Sequence, residues 1–65
     1  MLTRIKLRRL ERDLPQVVVA QRADIPRARL SEIECGYIEA RPDELARIAR
    51  VLGVPVDTLS AGRSG

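Results

Sequence analysis

The side chains able to do chemistry in this 65-residue sequence are mainly charged ones, because Asp, Glu, Lys and Arg make up 32% of it and His is absent. Acid–base and nucleophilic catalysis need a hydroxyl or thiol held beside a base. The one thiol belongs to Cys35, and no serine stands beside a plausible base. A single cysteine without histidine also argues against a disulfide or a zinc site. We therefore expect no enzyme activity, metal, cofactor or small-molecule ligand.

Polar residues at helical spacing between positions 26 and 34 favour a different chemistry, the binding of a duplex. Leu30 and Ile33 fall on one side of a helix drawn through this segment, whereas Arg27 and Glu32 lie elsewhere on its surface. A helix of this kind can pack its apolar side inward and turn its polar side to a partner. The major groove of DNA accepts one α-helix, so this segment is a candidate for reading bases.

Charge and aromatic content agree with DNA as the partner. The net charge of +3 and the pI of about 10.0 favour polyanions. Tyr37 is the one aromatic residue, so the sequence lacks the stacking platform of RNA and single-strand binders. No segment is apolar enough for a membrane span or a secretory signal. The lone cysteine fits a reducing compartment, so we expect the protein in the cytoplasm, at the nucleoid.

Five helical segments are expected to position these residues. Breaks at Pro15, Gly36 and Gly53 separate them, because proline restricts the preceding residue and glycine suits a left-handed helix end. Pro42 begins the fourth helix, which has acidic residues in its first turn. The predicted helices cover residues 2–12, 16–22, 26–34, 43–52 and 56–59. The sequence thus predicts an all-α domain over residues 1–60 and a flexible tail over residues 61–65.

Apolar residues on two of these helices indicate where the core lies. The fourth helix has one clear stripe, formed by Leu45, Ile48, Ala49 and Leu52. The first helix has two apolar faces, which the sequence alone does not rank. One contains Leu2 and Ile5, and nearly opposite lie Leu7, Leu10 and Leu14. One of these faces is left to meet a partner or the carboxy-terminal helix.

The order and spacing of these residues, from Ile5 to about Leu59, resemble the Cro/cI-type helix-turn-helix family, also called lambda-repressor-like or XRE. No single part of the pattern is specific, but the ordered set is. The residues that carry the resemblance are Leu14-Pro15-Gln16, Val19-Ala20, Ile25, Leu30-Ser31-Glu32-Ile33-Glu34-Cys35-Gly36, Pro42, Leu45, Ile48-Ala49, Leu52-Gly53-Val54 and Leu59.

The resemblance implies a compact five-helix domain in which helices two and three form the DNA-reading unit. It places Arg27, Ala28 and Glu32 at positions that face base edges. Elementary chemistry fits these positions. The forked donors of Arg27 match guanine O6 and N7, Ala28 suits a thymine methyl group, and the Glu32 carboxylate suits a cytosine amino group.

The same resemblance implies contacts outside the bases. It places Gln16 and Arg41 against phosphates and Arg29 near the DNA backbone. It also pairs Arg9 of the first helix with Glu34 at the end of the third. We therefore expect Glu34 to be structural, and Arg9 to be structural or also to touch phosphate.

Some residues depart from the family pattern. Pro15 and Pro26 stand at two helix starts where the family usually has Ser or Thr, and proline supplies no capping oxygen. Asp13 or Asp24 is expected to substitute. Cys35 stands where the family often has an Asn that approaches a phosphate. We expect the thiol to be a small, at least half-buried hydrophobe.

The function implied by the resemblance is a sequence-specific regulator of transcription that binds double-stranded DNA. A repressor that binds a palindromic operator as a homodimer, at least on DNA, is expected. The half-sites would then be about one turn, roughly 34 Å, apart, and the dimer contact would lie near residues 54–59. A restriction-modification controller or antitoxin-type autoregulator stays open. So does a protein-interaction module that binds no DNA.

Overall fold

The computed structural model describes residues 3–60, so Leu2 and the predicted tail over residues 61–65 lie outside the described part. Its five helices are α1 (Arg4–Glu11), α2 (Gln16–Arg22), α3 (Arg27–Glu34), α4 (Pro42–Leu52) and α5 (Val56–Ser60). The described residues contain no strand. The predicted all-α, five-helix fold is confirmed, and α2 has the predicted bounds.

Helix α1 is shorter than predicted because Thr3 caps it. The Thr3 Oγ1 accepts a hydrogen bond from the Lys6 backbone N–H at 3.2 Å, which satisfies one of the free donors of the first turn. The same hydroxyl donates to the Glu34 backbone oxygen at 2.9 Å. Thr3 therefore both begins α1 and ties it to the end of α3.

Helices α2 and α3 begin without a side-chain cap, contrary to expectation. Pro15 and Pro26 are the N-cap residues, and neither helix start has a side-chain cap hydrogen bond. Asp13 and Asp24, which were expected to substitute, instead adopt positive φ angles of 53° and 58°. Their backbone turns the chain between helices, a conformation that Asp tolerates better than most residues.

Helix α4 has the strongest local signals and follows them closely. Pro42 occupies its first turn, and the Glu44 carboxylate accepts from the Arg41 backbone N–H at 2.9 Å. Gly53 ends the helix with φ of 69°, a left-handed angle that glycine adopts without strain.

The core lies between all five helices, and α3 packs on α1 and α2. On α1 it is the face of Ile5 that is buried, while Leu10 on the other face is 50% exposed. Cys35 is half-buried. The buried apolar residues are Ile5, Val19, Ala20, Ala23, Ile25, Leu30, Ile33, Ile48, Ala49, Leu52 and Leu59.

Candidate nucleic-acid interface

The turn between α2 and α3 is held by a hydrogen bond of its own backbone and by one from α4. Asp24 makes the reversal with its positive φ, and Ile25 behind it is buried and donates its N–H to the Ala20 oxygen at 2.9 Å. Arg47 of α4 donates from Nε to the Ala23 oxygen at 2.8 Å, which satisfies a carbonyl at the end of α2. Sequence reasoning missed this role of Arg47, whose spacing shows only that it lies off the apolar stripe of α4.

Helix α3 presents one face to solvent. Leu30 and Ile33 are buried, whereas Arg27, Ala28 and Glu32 are exposed. The Arg27 side chain makes no hydrogen bond or ion pair with residues 3–59. Its donors are therefore available to a ligand from outside the chain.

A buried network joins α1, α2 and the end of α3. Arg9 donates to the two carboxylate oxygens of Glu34, from Nε at 2.7 Å and from Nη2 at 3.0 Å. Its Nη1 donates to the Leu14 oxygen at 2.8 Å. Gln16 adds a bond from Nε2 to Glu34 Oε1 at 3.1 Å. The structure thus brings together Arg9, Glu34 and Gln16, three residues that the sequence analysis singled out.

This network narrows the roles of Arg9. Only 10% of its side chain is exposed, and the guanidinium already donates three hydrogen bonds to the protein. Little of its surface is left for a phosphate, so the structure favours the structural role over the phosphate contact. Gln16 is half-buried at the first position of α2, with its amide nitrogen turned to Glu34.

Arg29 pairs with Glu44 of the same chain, a partner that the sequence analysis did not identify. Its Nε and Nη2 donate to the two oxygens of Glu44 at 2.6 and 2.9 Å, and 31% of its side chain is exposed. The hydrogen bonds that Arg29 donates to the Glu44 carboxylate raise the pKa of Arg29. The expected contact with the DNA backbone therefore competes with a bidentate salt bridge inside the protein.

Glu44 is the centre of a second network, at the start of α4. Its pKa falls to about 2, chiefly through the hydrogen bond from Arg29, against the opposing effect of its own burial. The Arg41 backbone N–H and the charges of Arg29 and Arg41 act in the same direction. Arg41 itself is exposed in the loop before α4. Since Arg29 and Glu44 are 15 positions apart, no local spacing rule could have paired them.

Two further kinds of site are absent from the described part of the chain. Residues 3–60 contain no group of three or more Cys, Asp or Glu that could hold a metal ion. No helix among them is long and apolar enough to cross a bilayer.

Comparison with known proteins adds one finding. A family model described as helix-turn-helix matches residues 5–59 of the 65. The matched residues include the side chains of both networks and the exposed face of α3. No curated protein and no solved structure matches the chain.

Proposed function

Because the chain belongs to the helix-turn-helix family, of the Cro/cI or XRE type, and is a DNA-binding regulator of transcription, we propose that it is a repressor that binds a palindromic operator as a dimer. The recognition helix in this proposal is α3, inserted into the major groove. Repression follows because the bound dimer occupies promoter DNA that the transcription machinery needs.

The observation that carries the proposal is the exposed face of α3. Arg27, Ala28 and Glu32 lie on this face, and Arg27 has no partner among residues 3–59. Arg27 contacts guanine O6 and N7, Ala28 contacts a thymine methyl group, and Glu32 accepts from a cytosine amino group. Each of these groups belongs to a different base, so the face can read sequence.

Contacts to phosphates position this helix. Arg41 is the exposed cation in the loop that follows α3, and we assign it a phosphate. Gln16, at the start of α2, approaches a phosphate with its backbone N–H and its amide, which Glu34 holds in place. Such contacts set register and orientation without reading sequence.

The proposed dimer contact lies on the surface of this domain. Val56 is 39% exposed at the start of α5, within the region 54–59 predicted for the contact, and Leu10 is exposed on α1. The longest extent of the fold is 29 Å, so two copies fit side by side on half-sites roughly 34 Å apart. We propose an interface near or below the ~1,200 Å² of stable complexes, so that dimerisation depends on DNA.

Selection from a randomised duplex library tests the proposal, at about 0.1 M salt so that binding to phosphates alone is weak. Wild type, Arg27→Ala and the control Arg50→Ala are compared. Arg50 is exposed on α4, so its loss matches the charge change without touching α3. We expect an inverted repeat with wild type and the control, and one relaxed position in each half-site with Arg27→Ala.

The outcomes separate the alternatives. Equal, weak enrichment by all three proteins would leave phosphate binding alone, and no retained DNA would indicate a protein-interaction module. Analytical ultracentrifugation on a duplex with both half-sites should show two copies bound cooperatively. A single bound copy would contradict the dimer.

A further inference from the structure

Glu44 belongs to α4, yet its carboxylate contacts two parts of the surface proposed to meet DNA. These are Arg29 of α3 and the backbone of Arg41 in the loop that follows α3. The Glu44 side chain is 7% exposed, and all of its hydrogen bonds go to residues on that surface. Arg29 of α3 occupies both carboxylate oxygens, and the backbone of Arg41 donates to Oε1 at 2.9 Å. One carboxylate therefore bridges the recognition helix and the loop that follows it.

In the loop after α3, Ile38 and Ala40 pack partly against the core. Residues 35–41 connect α3 to α4, and the hydrogen bonds of Gly36 and Tyr37 return only to the end of α3. Arg41 is seven residues beyond Glu34, and its backbone N–H is held by Glu44. The Glu44 carboxylate therefore adds a direct hydrogen-bonded link between Arg29 of α3 and the backbone of Arg41.

We propose that Glu44 is a positioning residue for DNA recognition, which sets the spacing between the base-reading face of α3 and the phosphate contact of Arg41. This inference rests on the proposed function. Bidentate pairing suits the role, because the planar fork of Arg29 fixes direction as well as distance.

Glu44 also affects the binding of DNA without sequence preference. While it is paired with Glu44, Arg29 adds little net charge to the surface. Phosphate contacts supply most non-specific affinity, and each one that is gained steepens the salt dependence. Removal of the Glu44 charge should therefore release Arg29 to bind phosphate, raising non-specific affinity while the loosened loop lowers specific affinity. Loss of a residue that only stabilised the fold would not change the specific and the non-specific affinity in opposite directions.

Glu44→Gln tests the inference, with Asp43→Asn as the matched control. Asp43 is the neighbouring residue in the same helical turn, exposed and paired with Arg47 at 3.0 Å. Both variants remove one negative charge from nearly the same place. Fluorescence anisotropy would give the Kd for the selected operator and for an unrelated duplex over a range of salt. The temperature would be one at which circular dichroism shows every variant folded.

With Glu44→Gln we expect the ratio of operator to unrelated affinity to fall about tenfold, within the range that one bidentate base contact supplies. The slope of log Kd against log salt for unrelated DNA should steepen by about one. Asp43→Asn should leave the ratio unchanged. An unchanged ratio in Glu44→Gln, or an equal fall in both variants, would overturn the inference.

Arg29→Lys provides a second variant in case Glu44→Gln does not fold. Lysine retains the charge beside Glu44 but lacks the fork that occupies both oxygens. We expect the operator ratio to fall here as well, and a ratio equal to wild type would contradict the positioning role. If wild type itself selects no sequence, the proposed function fails along with the inference. A selective wild type with a selective Arg29→Lys overturns the inference alone.

Discussion

Replacing Glu34 by Gln should cost the fold about 3 kcal/mol or more, the range found when one partner of a buried ion pair is removed. Glu34 is 1% exposed, and its carboxylate accepts two hydrogen bonds from Arg9 and one from Gln16. Glutamine has the same shape but replaces one acceptor oxygen with a donor nitrogen. The Arg9 guanidinium would stay buried with no opposite charge and with one donor facing another.

The size of this loss can be compared with the whole stability. A chain of this length is expected to have a free energy of unfolding of roughly 3–10 kcal/mol. A loss of about 3 kcal/mol therefore removes a large share of it. At ~4–8 °C per kcal/mol for a domain of this size, Tm should fall by at least about 12 °C.

Thermal and urea unfolding followed by circular dichroism measure the effect. Glu11→Gln is the control, because it removes the same charge from the pair with Arg8, where the Glu11 side chain is 46% exposed. That change should cost less than about 1 kcal/mol. If Glu34→Gln lowers Tm by less than ~4 °C, or by no more than Glu11→Gln does, the argument that the pair is buried and necessary is refuted.

The remaining predictions follow from three other sites. The pKa of Glu44 falls from 4.5 to about 2 in the fold, so its contribution to stability is complete above pH 4.5 and is lost as the pH falls toward 2. Across this pH range the urea midpoint should therefore drop less in Glu44→Gln than in wild type, and parallel curves for the two proteins would refute this. Because Asp24 has φ of 58°, Asp24→Gly should raise the free energy of unfolding by up to ~1 kcal/mol, while Asp24→Ala should lower it. Urea titrations measure both changes, and the reverse order would contradict the strained turn. Leu10 is 50% exposed and Ile5 only 7%, so Leu10→Lys should change the free energy of unfolding by less than ~0.5 kcal/mol, while Ile5→Ala should lower it by ~2–5 kcal/mol. A large loss of stability in Leu10→Lys would show that its face of α1 is covered.

The helices could be predicted where local chemistry decides them. Pro15 and the turn residues after Arg22 delimit α2, and Pro42 and Gly53 delimit α4, so periodicity and break residues were sufficient. Helix α1 was harder, since both its faces contain apolar residues. Its packing on α3, α4 and α5 selects the face of Ile5, and tertiary packing of this kind has no local signal.

The same distinction explains the candidate site. The exposure of Ala28 and Glu32 follows from their place opposite Leu30 on α3, which spacing alone indicates. The partner of Arg29 does not, because Glu44 is reached only through the fold. An arginine on a helix surface has many possible partners, and the sequence assigned DNA to this one by resemblance. The structure gives it a carboxylate 2.6 Å away.

The two networks together explain how a small domain holds α3, the recognition helix of the proposed function, in a fixed position. Glu34 is held by Arg9 of α1, and Arg29 is held by Glu44 of α4, so α3 is tied to helices outside the helix-turn-helix unit at two separate points. Both carboxylates are neutralised within the protein, which leaves Glu32 as the exposed negative charge on α3. A carboxylate there is repelled by phosphates and by the acceptor edges of guanine and thymine, and is accommodated opposite a cytosine amino group. In the proposed function Glu32 therefore adds specificity by penalising wrong sequences, which requires that α3 cannot shift to avoid the penalty.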